Sequence, residues 1–193
     1  KVDYIRPVPK AGLASNSKVI DRPRDAVWNS GVPELGKQFF VINNLDKSSG
    51  LINVSYSGDP EKYIDCGWVT SYVKNAKGER THSFPGARAQ VQYEVMDQNG
   101  LFFINRKMTL EGRVNLVFEE VSPTQTRVTA NTRYAVTRQS AITAAANNVT
   151  RPVSDTISFN SNSSGSFAPN TQGQATECLA TGALEQELLS AIK

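Results

Sequence analysis

Few side chains in this sequence combine a reactive type with a spacing that could support chemistry. His82 is the only histidine, and it lies in a polar stretch beside Arg80 and Phe84. A catalytic histidine works with a nucleophile or an orienting acid, and a zinc site needs further Cys or His ligands. No such partner occurs at a suitable spacing around His82. The sequence therefore predicts a surface histidine without a catalytic role.

A small acidic cluster is the second candidate. Asp59, Glu61 and Asp65 lie close together just before Cys66. Such carboxylates could hold a cation or act as the acid and base of a hydrolase. Their spacing matches no calcium-binding loop, and we interpret them as solvated loop charges. Since the chain also lacks Walker, GxGxxG, GxSxG and HExxH motifs, we expect a protein that is not an enzyme and uses no cofactor or metal.

The two cysteines, Cys66 and Cys178, lie far apart in the sequence, and neither belongs to a CxxC pair. In an exported protein they would most simply bond to each other and tie the middle of the chain to its C-terminal segment. The alternative is two buried free thiols in a cytosolic protein. We predict the disulfide.

The composition describes one ordinary globular domain. The chain has 193 residues, of which 39% are hydrophobic and 20% charged, and its net charge is +3. The basic residues are dispersed without interleaved aromatic residues, so we expect no nucleic-acid partner. No stretch approaches the roughly 20 apolar residues that a membrane-spanning helix needs.

A helix followed by a β-hairpin is predicted between Asp21 and Ser57. Pro23 suits the first turn of a helix, because its missing N–H costs nothing there. Apolar residues then recur at helical spacing, and they are Trp28, Val32, Leu35 and Phe39. Strand periodicity begins after this stripe and resumes beyond a turn at residues 46–50. We predict an N-terminal helix that covers a sheet.

The clearest pattern in the chain is alternation between positions 102 and 118. Seven apolar residues fall on even positions, and six polar residues fall on odd ones: Phe102, Ile104, Met108, Leu110, Val114, Leu116 and Phe118 against Asn105, Lys107, Thr109, Glu111, Arg113 and Asn115. Val128, Ala130, Tyr134 and Val136 continue the even-side pattern. This predicts long antiparallel strands with one solvent-facing side, with a bulge or bend at Gly112. We expect six basic residues on the solvent side: Arg106, Lys107, Arg113, Arg127, Arg133 and Arg138.

Three segments are predicted to lie outside this sheet. Residues 1–17 have no periodicity and read as an extended arm or tether. Polar residues 75–86 are predicted to form a surface loop, and the segment 139–176, rich in Ala, Ser, Asn and Thr, a long mobile or decorating insertion. A terminal helix with Thr181 as its N-cap follows, with Leu184, Leu188 and Ile192 on one face.

The predicted fold class is therefore α+β, with residues 18–193 forming one domain. A twisted antiparallel sheet would carry the N-terminal and C-terminal helices on one face, as in a helix-grip fold. This arrangement leaves a groove between helices and sheet. Its candidate lining consists of the aromatic residues Trp28, Tyr56, Trp68, Tyr72 and Tyr93.

Two segments resemble the BamC-like family of bacterial envelope lipoproteins. Residues 21–67 (DRPRDAVWNSGVPELGKQFFVINNLDKSSGLINVSYSGDPEKYIDCG) resemble the strand, helix and hairpin of its helix-grip domains, and residues 178–192 (CLATGALEQELLSAI) resemble the closing helix. Together they cover about a third of the chain. The sequence departs from the family in predicting one such domain rather than two, and in its pair of cysteines.

The resemblance implies a non-enzymatic periplasmic protein that binds or scaffolds another envelope protein. It also implies an outer-membrane lipid anchor attached N-terminal to Lys1. The alternative is a domain that binds a small apolar ligand or lipid in a cavity between sheet and helices. Close packing between helices and sheet would favour the first function, and an apolar cavity of about 300–1,000 Å³ would favour the second.

Overall fold

A computed structural model describes residues 1–9, 16–38, 40–169 and 175–193. Thirteen strands and two helices occur in these residues. Their bounds are β1 (Val2–Ile5), β2 (Ser17–Ile20), α1 (Arg24–Gly36), β3 (Val41–Asp46), β4 (Leu51–Gly58), β5 (Ile64–Asp65), β6 (Trp68–Asn75), β7 (Gly78–Pro85), β8 (Gln90–Asp97), β9 (Gly100–Ser122), β10 (Gln125–Ala144), β11 (Thr150–Asn160), β12 (Ser164–Phe167), β13 (Thr176–Ala180) and α2 (Ala183–Ser190).

The main sheet is built on the hairpin of β9 and β10, which span 23 and 20 residues. They are antiparallel over almost their whole length, from Phe102 opposite Ala144 to Ser122 opposite Gln125. The strand order is β11-β10-β9-β4-β3, with β2 also on β10 and β8 also on β9. The alternating sequence explains this length, because every second side chain can face the core without interruption.

Two smaller sheets complete the fold. One has the order β1-β6-β7 and the other β12-β13-β5. The N-terminal residues 2–5, which the sequence predicts as an arm, pair with β6 from Val2 opposite Ser71 to Ile5 opposite Trp68. The strands of the described residues thus form three sheets.

The main core lies on the side of β9 and β10 that carries even-numbered residues. Trp28 of α1 meets Phe118 edge to face, with ring centroids 5.1 Å apart. Leu184 of α2 lies directly over Gly112, where an added Cβ would come within 2.9 Å of its Cδ2 atom. Leu188 is fully buried in the same cluster. Residues from β5, β12 and β13 complete this core.

The predicted α+β class is wrong. Strands account for 61% of the structure and helices for only 12%, and the strands form large sandwich-like sheets. The two helices span only 13 and 8 residues. Most of the remaining described residues belong to strands, so the helices do not form a layer comparable to the sheets. Segments predicted as loop or insertion are strands instead, with β7 inside 75–86 and β11 and β12 inside 139–176. The chain is a mostly β protein with two short helices.

Two local predictions also differ from the structure. Gly112 pairs in register with Tyr56 and Tyr134, without a bulge. Its lack of a side chain instead admits Leu184. The helical stripe places Trp28 and Leu35 in the core, while Phe39 lies outside the described residues.

Candidate functional site

The outer face of the main sheet is the side formed by odd-numbered residues of β9 and β10, opposite the core. From Phe103 to Phe118 and from Thr126 to Thr143 these residues are exposed or half-buried, while their even-numbered neighbours are buried. Strand register aligns them in rows, such as Glu94, Phe103, Thr143 and Thr150 across β8, β9, β10 and β11. Uncharged polar side chains predominate in these rows. The outer face is therefore a broad surface rich in hydrogen-bonding groups.

A groove of about 520 Å³ lies at one end of the main sheet, and we call it the end groove. Its floor and walls come from β8, β9, β10 and β11, with one residue from β7. The lining residues are His82, Gln92, Tyr93, Glu94, Phe103, Ile104, Asn105, Ala141, Thr143 and Thr150.

One exposed aromatic residue gives the end groove its apolar part. Phe103 is 44% exposed, and its side chain lies on the outer face of the sheet with those of its strand neighbours Glu94 and Thr143. Tyr93 is opposite the buried Ile104, so its ring faces the inner side of the sheet, where it packs on Phe84 with ring centroids 4.8 Å apart. Burial raises the pKa of the Tyr93 hydroxyl, so the ring stays neutral. The end groove thus presents one exposed phenyl ring among polar side chains.

A clamp of charged groups closes one side of the end groove. The Arg80 guanidinium donates to both carboxylate oxygens of Glu94, at 2.8 and 3.1 Å, and His82 Nε2 lies 2.9 Å from Glu94 Oε2. The hydrogen bond from Arg80 is the main cause of the lowered pKa of Glu94. Because this carboxylate is fully engaged, it connects β7 to β8 and offers no free base.

The five aromatic residues predicted to line one groove are not brought together. Trp28 is buried between α1 and the main sheet. Tyr56 packs edge to face on Tyr63, and its hydroxyl donates to the Asp59 carbonyl at 2.8 Å.

The other predicted lining residues lie elsewhere. Trp68 and Tyr72 alternate with buried residues of β6 and are 44% and 38% exposed. Tyr93 alone borders the end groove, and its ring faces the inner side of the sheet, where it packs on Phe84. The sequence identified aromatic residues, but their placement depends on which sheet each strand joins.

The acidic cluster consists of separate carboxylates, with Asp59 and Glu61 between β4 and β5 and Asp65 at the end of β5. Asp59 Oδ1 accepts the Glu61 N–H at 2.9 Å, and Asp65 Oδ1 accepts the Gly67 N–H at 2.8 Å. Both are turn-type bonds to the local backbone. Over the ranges that the structure covers, no group of three or more His, Cys, Asp or Glu side chains could hold a metal ion.

The structure contains the predicted disulfide between Cys66 and Cys178, and both residues are fully buried. Cys66 follows β5 and Cys178 belongs to β13, which are neighbours in one small sheet. The bond therefore joins two parts of the chain that are 112 residues apart in sequence. It also ties the segment preceding α2 to the core.

Two of the six basic residues predicted on the solvent side face the interior. Arg106 and Arg138 are only 4% and 5% exposed. Arg138 pairs with Asp155 and lies over the Phe167 ring, whereas Arg106 lies over Phe84. Burial lowers the pKa of Arg106 to about 10. Their even positions in alternating strands were the available signal, which the charge of the side chains obscured.

Comparisons with known proteins identify no relative. No protein-family model matches the chain, and neither a curated protein nor a solved structure matches it significantly. Within the described residues, no helix has the length and apolar character needed to cross a membrane.

Proposed function

We propose that this protein is a non-enzymatic binding protein of the bacterial cell envelope that engages another protein through the end groove. The observation that carries the proposal is the exposed Phe103 ring on the outer face of the sheet, with the polar side chains of the end groove around it. An apolar centre within a polar rim is the usual anatomy of a protein–protein contact. We infer a partner segment that inserts an apolar side chain beside Phe103.

The charges around the groove support a neutral anchor. Glu94 is already held by Arg80 and His82. A charged partner residue would have to displace these bonds, which would leave one of the present groups unpaired. An aliphatic or aromatic anchor avoids that cost, because it covers Phe103 without disturbing the clamp.

Close packing between helices and main sheet favours protein binding over the apolar-ligand alternative. Leu184 is in contact with Gly112, and an added Cβ at Gly31 would lie 3.4 Å from Ile192. Val27 and Leu35 are fully buried in the same layer. These side chains occupy the space where the alternative function would require an apolar cavity.

The envelope location is part of the same proposal. Its support is the buried disulfide, a bond that persists in oxidising compartments such as the periplasm, together with the sequence resemblance to BamC-like lipoproteins. The resemblance also supplies the proposed outer-membrane lipid anchor N-terminal to Lys1.

Site-specific photo-crosslinking tests the proposal. A photoreactive phenylalanine analogue is introduced in the native cell at Phe103, and at Val41 as a control. Val41 is also an exposed apolar strand residue, at 60%, and it lies on the edge strand β3, away from the end groove. Any protein captured is identified, purified and titrated against the wild type and the variants Phe103→Ser and Val41→Ser.

We expect a discrete adduct at 103 that is missing at 41. The purified partner should lose at least about tenfold in affinity with Phe103→Ser, since removing one anchor from an interface centre commonly costs more than 1 kcal/mol, and should bind Val41→Ser normally. The proposal fails if no adduct forms at 103, if both positions give the same adducts, or if Phe103→Ser binds the partner as well as the wild type. Recovery of a stoichiometric lipid by native mass spectrometry, with no protein adduct, would instead support the alternative.

A further inference from the structure

A row of asparagine side chains crosses the outer face of the main sheet, far along β9 and β10 from the end groove. Asn53, Asn115 and Asn131 are direct neighbours on β4, β9 and β10. Asn43 donates to Asn53 Oδ1 at 2.9 Å, and Asn53 donates to Asn115 Oδ1 at 2.8 Å. At the other end, Asn16 donates to Asn131 Oδ1 at 3.2 Å. We call these five residues the asparagine row.

The asparagine row forms part of a groove of about 490 Å³. One wall is the turn between β11 and β12, which includes Asn160, Ser161 and Asn162. This wall is fixed to β10, because Ser161 Oγ accepts the Thr132 N–H at 3.0 Å and the Ser161 N–H donates to the Thr132 carbonyl at 3.1 Å. The groove is thus formed by strands and a pinned turn.

Two arginines stand directly opposite each other beside the row. Arg113 on β9 and Arg133 on β10 are cross-strand neighbours on the outer face. Like charges in this position destabilise a sheet unless an anion lies between them. Arg113 is bonded to Glu111 at 3.0 Å. No residue within the described ranges forms a hydrogen bond or ion pair with the Arg133 guanidinium.

At the centre of this groove, the side-chain groups that have no hydrogen-bond partner among the described residues are hydrogen-bond donors. The Oδ1 atoms of Asn115 and Asn131 already accept hydrogen bonds, which leaves their Nδ2 groups directed at no acceptor among the described side chains. The guanidinium of Arg133 adds further donors and a positive charge. A complementary ligand must therefore carry many acceptors and a negative charge.

We propose that the asparagine row and Arg133 bind an acidic polysaccharide strand that lies across the β-strands. Neighbouring strands are about 4.8 Å apart, so amide groups repeat along the row at close to the length of one sugar ring. Planar amides match the paired hydroxyls of a sugar, and the Arg133 guanidinium matches a carboxylate of the strand. This surface is separate from the end groove and does not depend on a protein partner.

The test uses hexagalacturonate as the acidic probe, cellohexaose as the neutral one and hexaglutamate as the acidic peptide. Binding is measured by calorimetry and by the side-chain amide resonances of the wild type in NMR spectra. The variants are Asn115→Ala and Arg133→Ala, with Lys107→Ala as the control. Lys107 is an exposed cation on the same face and lies outside the row. All three sites are exposed, so circular dichroism should show an unchanged fold.

We expect hexagalacturonate to bind and to shift the amide resonances of Asn115 and Asn131. Arg133→Ala should weaken binding about tenfold or more, the effect of losing one charge-assisted contact. Asn115→Ala should weaken it severalfold, and Lys107→Ala should leave it unchanged. The proposal is overturned if hexagalacturonate does not bind, if cellohexaose or hexaglutamate binds equally well, or if Lys107→Ala weakens binding as much as Arg133→Ala does. An unchanged affinity of Asn115→Ala would also overturn it.

Discussion

Reducing the disulfide between Cys66 and Cys178 should destabilise the protein by about 5 kcal/mol. The bond closes a loop across 112 residues, and the chain-entropy relation assigns about 4.8 kcal/mol to a loop of that length at room temperature. A domain of ordinary stability has roughly 5–15 kcal/mol in total. The bond therefore provides a large share of the stability, and it acts mainly by restricting the unfolded chain.

Guanidinium denaturation of oxidised and reduced protein measures this loss. The protein is reduced while unfolded, because both sulfur atoms are buried, and it is then refolded under reducing conditions. With a denaturant slope of roughly 5 kcal/mol per molar for a chain of this size, the midpoint should fall by about 1 M. When the unfolded protein is treated with an alkylating agent, its intact mass should show no added group before reduction and two added groups after it.

The double variant Cys66→Ala/Cys178→Ala provides the control, since its midpoint should not respond to reductant. It should also be less stable than the reduced wild type, by roughly 1 kcal/mol for each buried sulfur removed. A midpoint that moves by less than about 0.2 M on verified reduction would refute the reasoning. It would mean that the unfolded chain is already constrained when it is reduced. Alternatively, strain in the folded protein would cancel the stability that the disulfide gains by restricting the unfolded chain.

Three further perturbations test the core and the end groove. Leu188→Ala removes a fully buried side chain of α2 and should lower the free energy of unfolding by about 2–5 kcal/mol in guanidinium titrations; an unchanged value would contradict the packing of α2 against the core. Arg106→Met should leave the melting temperature equal or higher, because the buried Arg106 Nε has no partner among the residues described here; a fall of several degrees would show that the charge is compensated. Glu94→Gln should lower the melting temperature at neutral pH by breaking the bonds to Arg80. The pKa of Glu94 is lowered in the folded protein, so its contribution is present above the unfolded value near 4.5 and is lost as the pH falls through the folded value. The melting temperatures of this variant and the wild type should therefore converge as the pH falls below 4.5 through the folded value, and a gap that does not shrink in acid would contradict the assigned role of the carboxylate.

The sequence was most informative where structure depends on neighbouring residues. Alternation between positions 102 and 118 predicted β9, since a strand turns every second side chain to the same face. The helical stripe likewise predicted α1 and the burial of Trp28 and Leu35. The sequence could not give the fold class, because strands such as β7 and β11 lack a strong alternating pattern and their residues resemble those of a loop.

Candidate sites were less predictable, because they combine residues from distant strands. The end groove joins His82 and Glu94 to Phe103 only through the pairing of β8 with β9 and the position of β7. The asparagine row likewise needs the registers of β4, β9 and β10, and no local spacing relates Asn53 to Asn131. The pairing of Cys66 with Cys178 was predictable because the sequence contains only two cysteines.

The sequence by itself therefore determined the strand periodicity, the two helices and the pair of cysteines available for a disulfide. Tertiary structure alone decided that Gly112 admits Leu184 and which groups cover the inward-facing Arg106 and Arg138. It also decided that a predicted insertion supplies β11 and β12. The physical reason is that periodicity is a property of adjacent residues, whereas burial and grooves depend on which distant strands pair and in which register.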